Sequence, residues 1–373
     1  MPRLASSSDA DTEAYGYDLP RHLIAEHPLP ERDASRLLVL RRDEPAAAKA
    51  EPGEPTQPAG SPQQEGPALE DHSFRDFLGY LDPGDALVVN DSRVFPARLV
   101  GRKPTGASAE ILLLRPIDSD AYRWEALVRP GQKLKPGRVV EVAEGLSVRI
   151  EASREGGREV LLETADDPWA AIERHGLVPL PPYIRRESTE ADRERYQTVY
   201  AAHRGSVAAP TAGLHLTEEL LERVRRRGVR VVPITLHVGP GTFRPVEASR
   251  LEEHRLEAER HTVSPESAGT LNEVRAEGGR VVAVGTTVVR VLEATVREDG
   301  VFEAGRGETD LFIHPPFRFR AVDRLLTNFH LPRSTLLMLV AAFAGRERVL
   351  RAYRHAVTER YRFYSYGDAM LVL

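Results

Sequence analysis

Cysteine is absent from all 373 residues. That excludes disulfides, thiolate nucleophiles, cysteine-held zinc and iron–sulfur clusters. Radical chemistry that depends on a cysteine-bound cluster is excluded with them. Lysine is nearly as scarce, present only at Lys49, Lys103, Lys133 and Lys135, so no Schiff-base lysine exists beyond residue 135. Long apolar runs are missing too. The longest, Leu336–Ala344, has nine residues, far short of the roughly 20 that a membrane span takes. The opening MPRLASSSDADTEA is polar and small where a signal peptide would be apolar. The expectation is a soluble, cytoplasmic protein with an unstructured start over residues 1–14.

Positive charge is also in deficit overall, with a formal net charge of −5. It is unevenly spread, however. From Arg318 to Asp368 there are ten Arg against four acids. Such a stretch is either a solvated helix face or a local basic surface for a polyanion. Arg346, Arg348, Arg351 and Arg354 are the candidates for the second reading.

What is present has three textures. Residues 43–68 carry six Pro and three Gly with almost no large apolar side chain, the composition of a flexible insertion. From about 97 to 165 lie short alternating runs such as SAEILLLRP, YRWEALVRP and LSVRIEA, separated by Gly, Pro or polar turns. They predict a small antiparallel β-barrel. Beyond about 205, helices and strands alternate. Thr217 caps LTEELLERVRRRG, Ser264 and Pro265 open another helix, and RVVAV precedes GTTVVRVLEATVRE. That alternation implies an α/β fold with a mostly parallel sheet and flanking helices. The expected organisation is a discontinuous α/β domain (15–96 plus 176–373) interrupted by the barrel at 97–175.

Polar turns recur at the expected strand ends and helix starts, where open α/β sheets bind ligands. VNDSRVFPARL ends a strand with Asn90, Asp91, Ser92 and Arg93. GSVAAPTAGLHL brings Thr211, Gly213 and His215 to the start of a helix, and TLHVGPGTF carries His237, Gly239, Gly241 and Thr242. VGTTVVRVLE carries Gly285, Thr286, Thr287 and Arg290. TNFHLPRS carries Asn328, His330 and Ser334, and YSYGDAM carries Tyr364, Tyr366 and Asp368. Any one of these turns is explained as a cap; the set together suggests a ligand site. The histidines do not suit a metal, because no His-x-x-x-His pair exists and His254 and His261 are seven apart. A G-x-S-x-G nucleophile elbow is missing as well.

In this order the motifs closely resemble the S-adenosylmethionine:tRNA ribosyltransferase-isomerase family of queuosine biosynthesis. The likeness rests on YDLPRHLIAEHPLPERDASRLLVL, NDSRVFPARL, RYQTVYAAHRGSVAAPTAGLHLTEELL, TLHVGPGTF, VGTTVVRVLE, TNFHLPRSTLLMLVAAFAG and YRFYSYGDAMLV, which run from Tyr17 to Leu373. Three features depart from the family's usual pattern. They are the 43–68 insertion, Leu256 and Glu257 where Met and His are common, and Pro316 in place of a turn glycine.

The resemblance implies an α/β domain with a β-barrel, no metal and no tightly bound cofactor. It implies that the ribosyl part of S-adenosylmethionine moves to the aminomethyl group of a 7-deazaguanine at the tRNA wobble position. Adenine and methionine leave, and epoxyqueuosine results. A base must then take a C5′ proton made acidic by the sulfonium, and His215, His237 and His330 are candidates that the sequence does not rank. Asp91, Asp368, Tyr364 and Tyr366 suit the sulfonium, and Arg93, Arg290 or a helix N-terminus suits the methionine carboxylate. The remaining turn residues would bind substrate through backbone and hydroxyl groups. S-adenosylmethionine and tRNA are the expected partners of a monomer. Two alternatives stay open: a non-catalytic tRNA-binding protein of the same fold, and a methyltransferase. The second lacks its Gly-rich strand–turn–helix and acidic ribose ligand.

Overall fold

A computed structural model describes residues 10–42, 69–154, 156–243, 246 and 248–373. The Pro-rich 43–68 segment lies outside the described residues. The chain opens with β1 (Arg36–Leu40), β2 (Leu69–Ser73) and β3 (Ala86–Asn90). A short β4 (Ser92–Val94) leads to β5 (Arg98–Arg102), β6 (Ser108–Pro116), β7 (Arg123–Arg129), β8 (Val139–Ala143), β9 (Leu146–Arg154) and β10 (Gly157–Thr164). The return runs through α1 (Pro168–His175), α2 (Glu190–Arg195), β11 (His203–Ser206) and α3 (Glu218–Arg226). Then follow β12 (Arg230–Leu236), β13 (Glu259–Val263), α4 (Pro265–Ala276), β14 (Val281–Val284), α5 (Thr286–Thr295) and β15 (Gly305–Thr309). The chain ends with β16 (Arg324–Asn328), α6 (Thr335–Ala344), α7 (Arg346–Thr358) and β17 (Ala369–Val372).

Strands β5 to β10 close into a barrel in the order β10-β7-β6-β5-β8-β9. Its alternating sequence has the expected physical meaning. Ala109, Ile111 and Leu113 of β6 point inward with Trp124, Val148 and Ile150, while their neighbours face out. The barrel is an insertion between β4 and β11, which pair with each other in parallel.

The large sheet has the order β15-β13-β12-β3-β14-β16-β17-β1-β2. Its centre, β12-β3-β14-β16, is parallel, as is the β17-β1 pair; the other junctions are antiparallel. The sheet is therefore mixed rather than mostly parallel. The parallel centre comes from the alternating helices. The antiparallel flank arises where β13 and β15 pair beyond β12. Strands β3, β14 and β17 are buried throughout, so they read as continuous apolar runs. Successive residues serve opposite cores: Leu38 and Val88 pack with α6, and Leu37 and Leu87 pack with α3.

Capping is local and follows the sequence. Thr217 Oγ1 accepts from Leu220 N at 3.0 Å, and Ser264 Oγ accepts from Ser267 N at 3.0 Å. SFRDFLGY forms a 3-10 helix, Phe74–Tyr80. One expectation needs correction. The start expected to be unstructured up to residue 14 is tied down over its described part. Asp11 caps a 3-10 turn at Thr12–Tyr15, and Thr12 Oγ1 donates to Ala248 O at 2.7 Å. Burial of Thr12 and Tyr15 outweighs the polar texture of that segment.

The register brings the polar turns to one edge of the sheet. Asn90 lies opposite Ile234, Val284 opposite Leu326, and Asn328 and Leu37 both opposite Ala369. The carboxyl ends of β3, β12, β14 and β16 therefore share an edge with the amino ends of β17 and β1.

Candidate functional site

A cleft of about 660 Å³ opens between the barrel and this edge. Leu114, Arg115, Glu125 and Arg158 line it from the barrel; Gly205, His237, Gly239 and Arg290 line it from the sheet side. His237 is held from behind. Asn90 bridges β3 to β12, its Nδ2 donating to Leu236 O at 3.0 Å and its Oδ1 accepting from Leu236 N at 3.0 Å. The same Oδ1 accepts from Ser92 N at 3.1 Å, which sets the Ser92 hydroxyl 2.8 Å from His237 Nδ1. Gly205 lies flat against the ring; a Cβ there would sit 2.7 Å from ring atoms. Burial, then the charges of Arg260 and His203, lowers the His237 pKa to about 4. The imidazole is therefore neutral at physiological pH, and Nε2 has no protein partner among the described residues.

Beside it stands Asp91, a residue the sequence offered, paired with His203, which it did not single out. Asp91 is almost buried, and its Oδ2 lies 3.0 Å from His203 Nδ1. Thr235 Oγ1 donates to its Oδ1 at 2.6 Å. The His203 side chain is 65% exposed. Its one sequence signal was its place in YAAHRGS, within a stretch that resembles the family.

The loop over the cleft is strapped by Glu259, which accepts from Gly239 N at 2.8 Å and from the Arg290 guanidinium. Arg290 also donates to Leu311 O at 3.1 Å and Thr309 O at 3.3 Å. Arg290 thus lines the cleft, yet its fork is committed to the protein rather than open to a substrate carboxylate. Gly241 and Glu257 face each other across the cleft wall, 3.7 Å from a Cβ at Gly241 to the carboxyl. The backbone of Thr242 lies in the 3-10 turn Pro240–Phe243.

A second group lies further along the same edge, outside the cleft lining. His215 ends the turn Thr211–His215, with Nδ1 2.8 Å from Ser35 Oγ and Nε2 3.2 Å from Asn328 Nδ2. The same Nδ2 donates to Tyr364 O at 3.1 Å. Burial above all, then Arg362 and Arg32, lowers the His215 pKa to about 4. Gly213 admits the Tyr200 hydroxyl, which would lie 1.9 Å from a Cβ. Gly285, at φ +94°, turns β14 into α5, and a Cβ there would lie 3.5 Å from Ala212. Thr286 and Thr287 are buried there, and Thr287 Oγ1 and Asn328 Oδ1 have no hydrogen-bond partner among the described residues.

Other expected residues lie outside the cleft lining. Asp368 accepts from Arg36 N at 2.9 Å and Arg362 N at 2.7 Å, and burial pushes its carboxyl up. Tyr366 donates to Asp192 at 2.8 Å, and Asp192 is gripped by Arg186 at 2.6 and 2.8 Å. Tyr364, at φ 73°, packs on Tyr183 with ring centroids 4.6 Å apart. His330 Nε2 lies 2.7 Å from Thr327 Oγ1, and its backbone is held by Tyr353 and Tyr17. Burial lowers the His330 pKa to about 3. Ser334 caps α6, accepting from Leu337 N at 3.2 Å. Arg93 is exposed on β4. On α7, Arg346, Arg351 and Arg354 line a groove with Ala14, Glu347 and Leu350, and Arg348 lies half-buried one position on from Glu347. Of the three candidate histidines, only His237 lines the cleft.

Among the described residues no group of three or more His, Asp or Glu is placed to hold a metal. No helix among them is long and apolar enough to cross a membrane.

The family of queuosine biosynthesis proteins matches residues 12–372. An S-adenosylmethionine:tRNA ribosyltransferase-isomerase of Moorella thermoacetica is 51% identical over 365 residues, covering 97% of this chain and 99% of its own. That of Geobacter sulfurreducens is 48% identical over 359 residues, covering 96% and 98%. The crystal structure of an S-adenosylmethionine tRNA ribosyltransferase from Thermotoga maritima is 39% identical. It matches with a TM-score of 0.51, over 96% of this chain and all of that one. With that agreement along its whole length, the chain belongs to the S-adenosylmethionine:tRNA ribosyltransferase-isomerase family of queuosine biosynthesis proteins.

Proposed function

We propose that this protein transfers and isomerises the ribosyl group of S-adenosylmethionine onto the 7-aminomethyl-7-deazaguanine at the wobble position of a tRNA. Adenine and methionine are released, and the tRNA carries epoxyqueuosine. The observation that carries this reading is the cleft at the carboxyl edge of the sheet, closed by the barrel and faced by the neutral imidazole of His237. A neutral imidazole suits a site that must keep an attacking amine unprotonated and handle a cationic sulfonium. In this reading the discontinuous α/β unit, 15–96 plus 176–373, carries catalysis, and the barrel at 97–175 forms the opposite wall. S-adenosylmethionine is a substrate, and no tightly bound cofactor is required.

The tRNA would be held through phosphates by Arg346, Arg348, Arg351 and Arg354 on α7. Arg351 supports this, because its Nε is buried beside the groove without a partner among the described residues. The protein would work as a cytoplasmic monomer. The test is mass spectrometry of tRNA bearing the aminomethyl base after incubation with protein and S-adenosylmethionine. A ribosyl-derived mass increase with free adenine is expected. A methyl mass would assign a methyltransferase, and an unchanged tRNA would assign a binding protein.

A further inference from the structure

Neighbouring residues at the end of β3 act on two different histidines, and their chemistry is opposite. Asp91 carries a carboxylate, which can only accept. One oxygen takes the Thr235 hydroxyl and the other faces His203 Nδ1 at 3.0 Å. His203 must therefore keep its proton on Nδ1, leaving the lone pair on Nε2 of a side chain that is 65% exposed. Ser92 carries a hydroxyl that is fully buried, and among the described residues its hydrogen-bond partner is His237 Nδ1 at 2.8 Å. A buried hydroxyl donates where it can, so Ser92 donates to Nδ1 and the proton of His237 stands on Nε2, toward the cleft. Gly205, two residues after His203, lies against the His237 ring, so the two imidazoles flank one stretch of backbone.

We infer that Asp91 and Ser92 set complementary tautomers on a catalytic histidine pair, with His203 as the base and His237 as the hydrogen-bond donor to substrate. This rests on the proposed function. His203 Nε2 takes one C5′ proton of S-adenosylmethionine. The C–H electron pair stays on C5′ beside the positive sulfur as an ylide, and the imidazolium formed is balanced by the Asp91 carboxylate. His237 Nε2–H donates a hydrogen bond to the adenine nitrogen on which negative charge gathers as the glycosidic bond breaks, and it keeps its own proton. The proton that makes neutral adenine is the one the aminomethyl nitrogen sheds as its bond to the ribosyl carbon forms. Asp91 and Ser92 are positioning residues. The exposure of His203 fits a base that must meet a large substrate arriving from solvent.

The experiment uses the full chain, the aminomethyl-base tRNA and S-adenosylmethionine deuterated at C5′. Deuterium release to water and free adenine are measured together. His203→Gln should cut deuterium release by roughly 10²-fold, the scale of a lost general base. Added imidazole should restore part of it to His203→Ala. His237→Gln should keep deuterium release within a few-fold of the unaltered protein while adenine release falls by roughly 10²-fold. Asp91→Asn should behave like the first variant and Ser92→Ala like the second. Unchanged melting temperature and S-adenosylmethionine affinity separate these effects from misfolding. Undiminished deuterium release in His203→Gln, or its equal loss in His237→Gln, would overturn the pairing while the unaltered protein still turned over. No conversion of tRNA by the unaltered protein would overturn the functional reading itself.

Discussion

His237 and His215 lie on the same sheet edge and are neutral for the same first reason, burial, yet they are chemically unlike. The difference is what each ring has left. At His215, the Asn328 amide gives one proton to Tyr364 O and the other to Nε2, so Nδ1 holds the proton and meets Ser35. Both nitrogens are spent inside the protein. His237 spends Nδ1 alone, and its other nitrogen faces a cleft. His330 sides with His215: it is anchored by Thr327 and by backbone bonds to two tyrosines. A shifted pKa therefore does not separate the three rings, whereas what a ring borders does: of the three, His237 alone lines the cleft.

The sharpest way to break this comparison is to remove each ring. His237→Ala should lower kcat/KM for tRNA modification by roughly 10²-fold or more, the scale of a lost acid–base or donor group. His215→Ala, normalised to folded protein, should stay within a few-fold. Equal losses in both would mean that the two clusters form one site.

Stability should show the reverse order. His330→Ala removes a fully packed ring and leaves Thr327 without its imidazole partner. A loss of about 2–4 kcal/mol is expected, from the cavity and the stranded hydroxyl together. Because Ser334 caps α6 without help from His330, the helix itself should survive. Chemical denaturation of His330→Ala and His237→Ala side by side checks this: the second should lose less, since His237 borders an open cleft.

The fold was legible where its cause is local, and the site was not, because its causes are distant. Thr217, Ser264 and the alternation in β6 act within a few residues, and each appears in the structure as its pattern implies. Strands β13 and β15 were missed because both are polar along most of their length and pair with each other away from the core, so neither shows a periodic apolar face. The polar turns were visible one by one. Which turn meets which depends on strand order, and β3 lies between β12 and β14, which come late in the chain. His203 shows the limit most clearly: its carboxylate partner is 112 residues away.

Acid should expose the three neutral rings together. Their folded pKa values, about 4 for His215 and His237 and about 3 for His330, lie below the ordinary 6.5. In that window the unfolded chain binds more protons than the folded one. Stability is therefore whole above pH about 6.5 and falls as pH drops toward 4, by up to about 1.4 kcal/mol per pH unit for each ring. Denaturation midpoints at pH 7, 6 and 5 should decline, and His215→Gln should flatten the decline by roughly one ring's share. An unaltered slope would mean that acid opens the His215 cluster locally before the chain unfolds.

The smallest effect is expected away from the cleft, on the arginines of α7. Its arginines and the cleft histidines are assigned to different tasks, so each should be separable from the other. Arg351 and Arg354 line the groove beside Ala14, and neither has a salt-bridge partner in the structure among the described residues. Reversing both to Glu should weaken tRNA binding by about tenfold at low salt and reduce the slope of log affinity against log salt by roughly one to two. S-adenosylmethionine affinity and the deuterium release from C5′ at saturating tRNA should not change, because no α7 residue lines the cleft. The measurement is a salt titration of tRNA binding, run beside calorimetric binding of S-adenosylmethionine. A slope identical to that of the unaltered protein would return α7 to the solvent and leave the tRNA to be held by the cleft's own arginines, Arg115, Arg158 and Arg260.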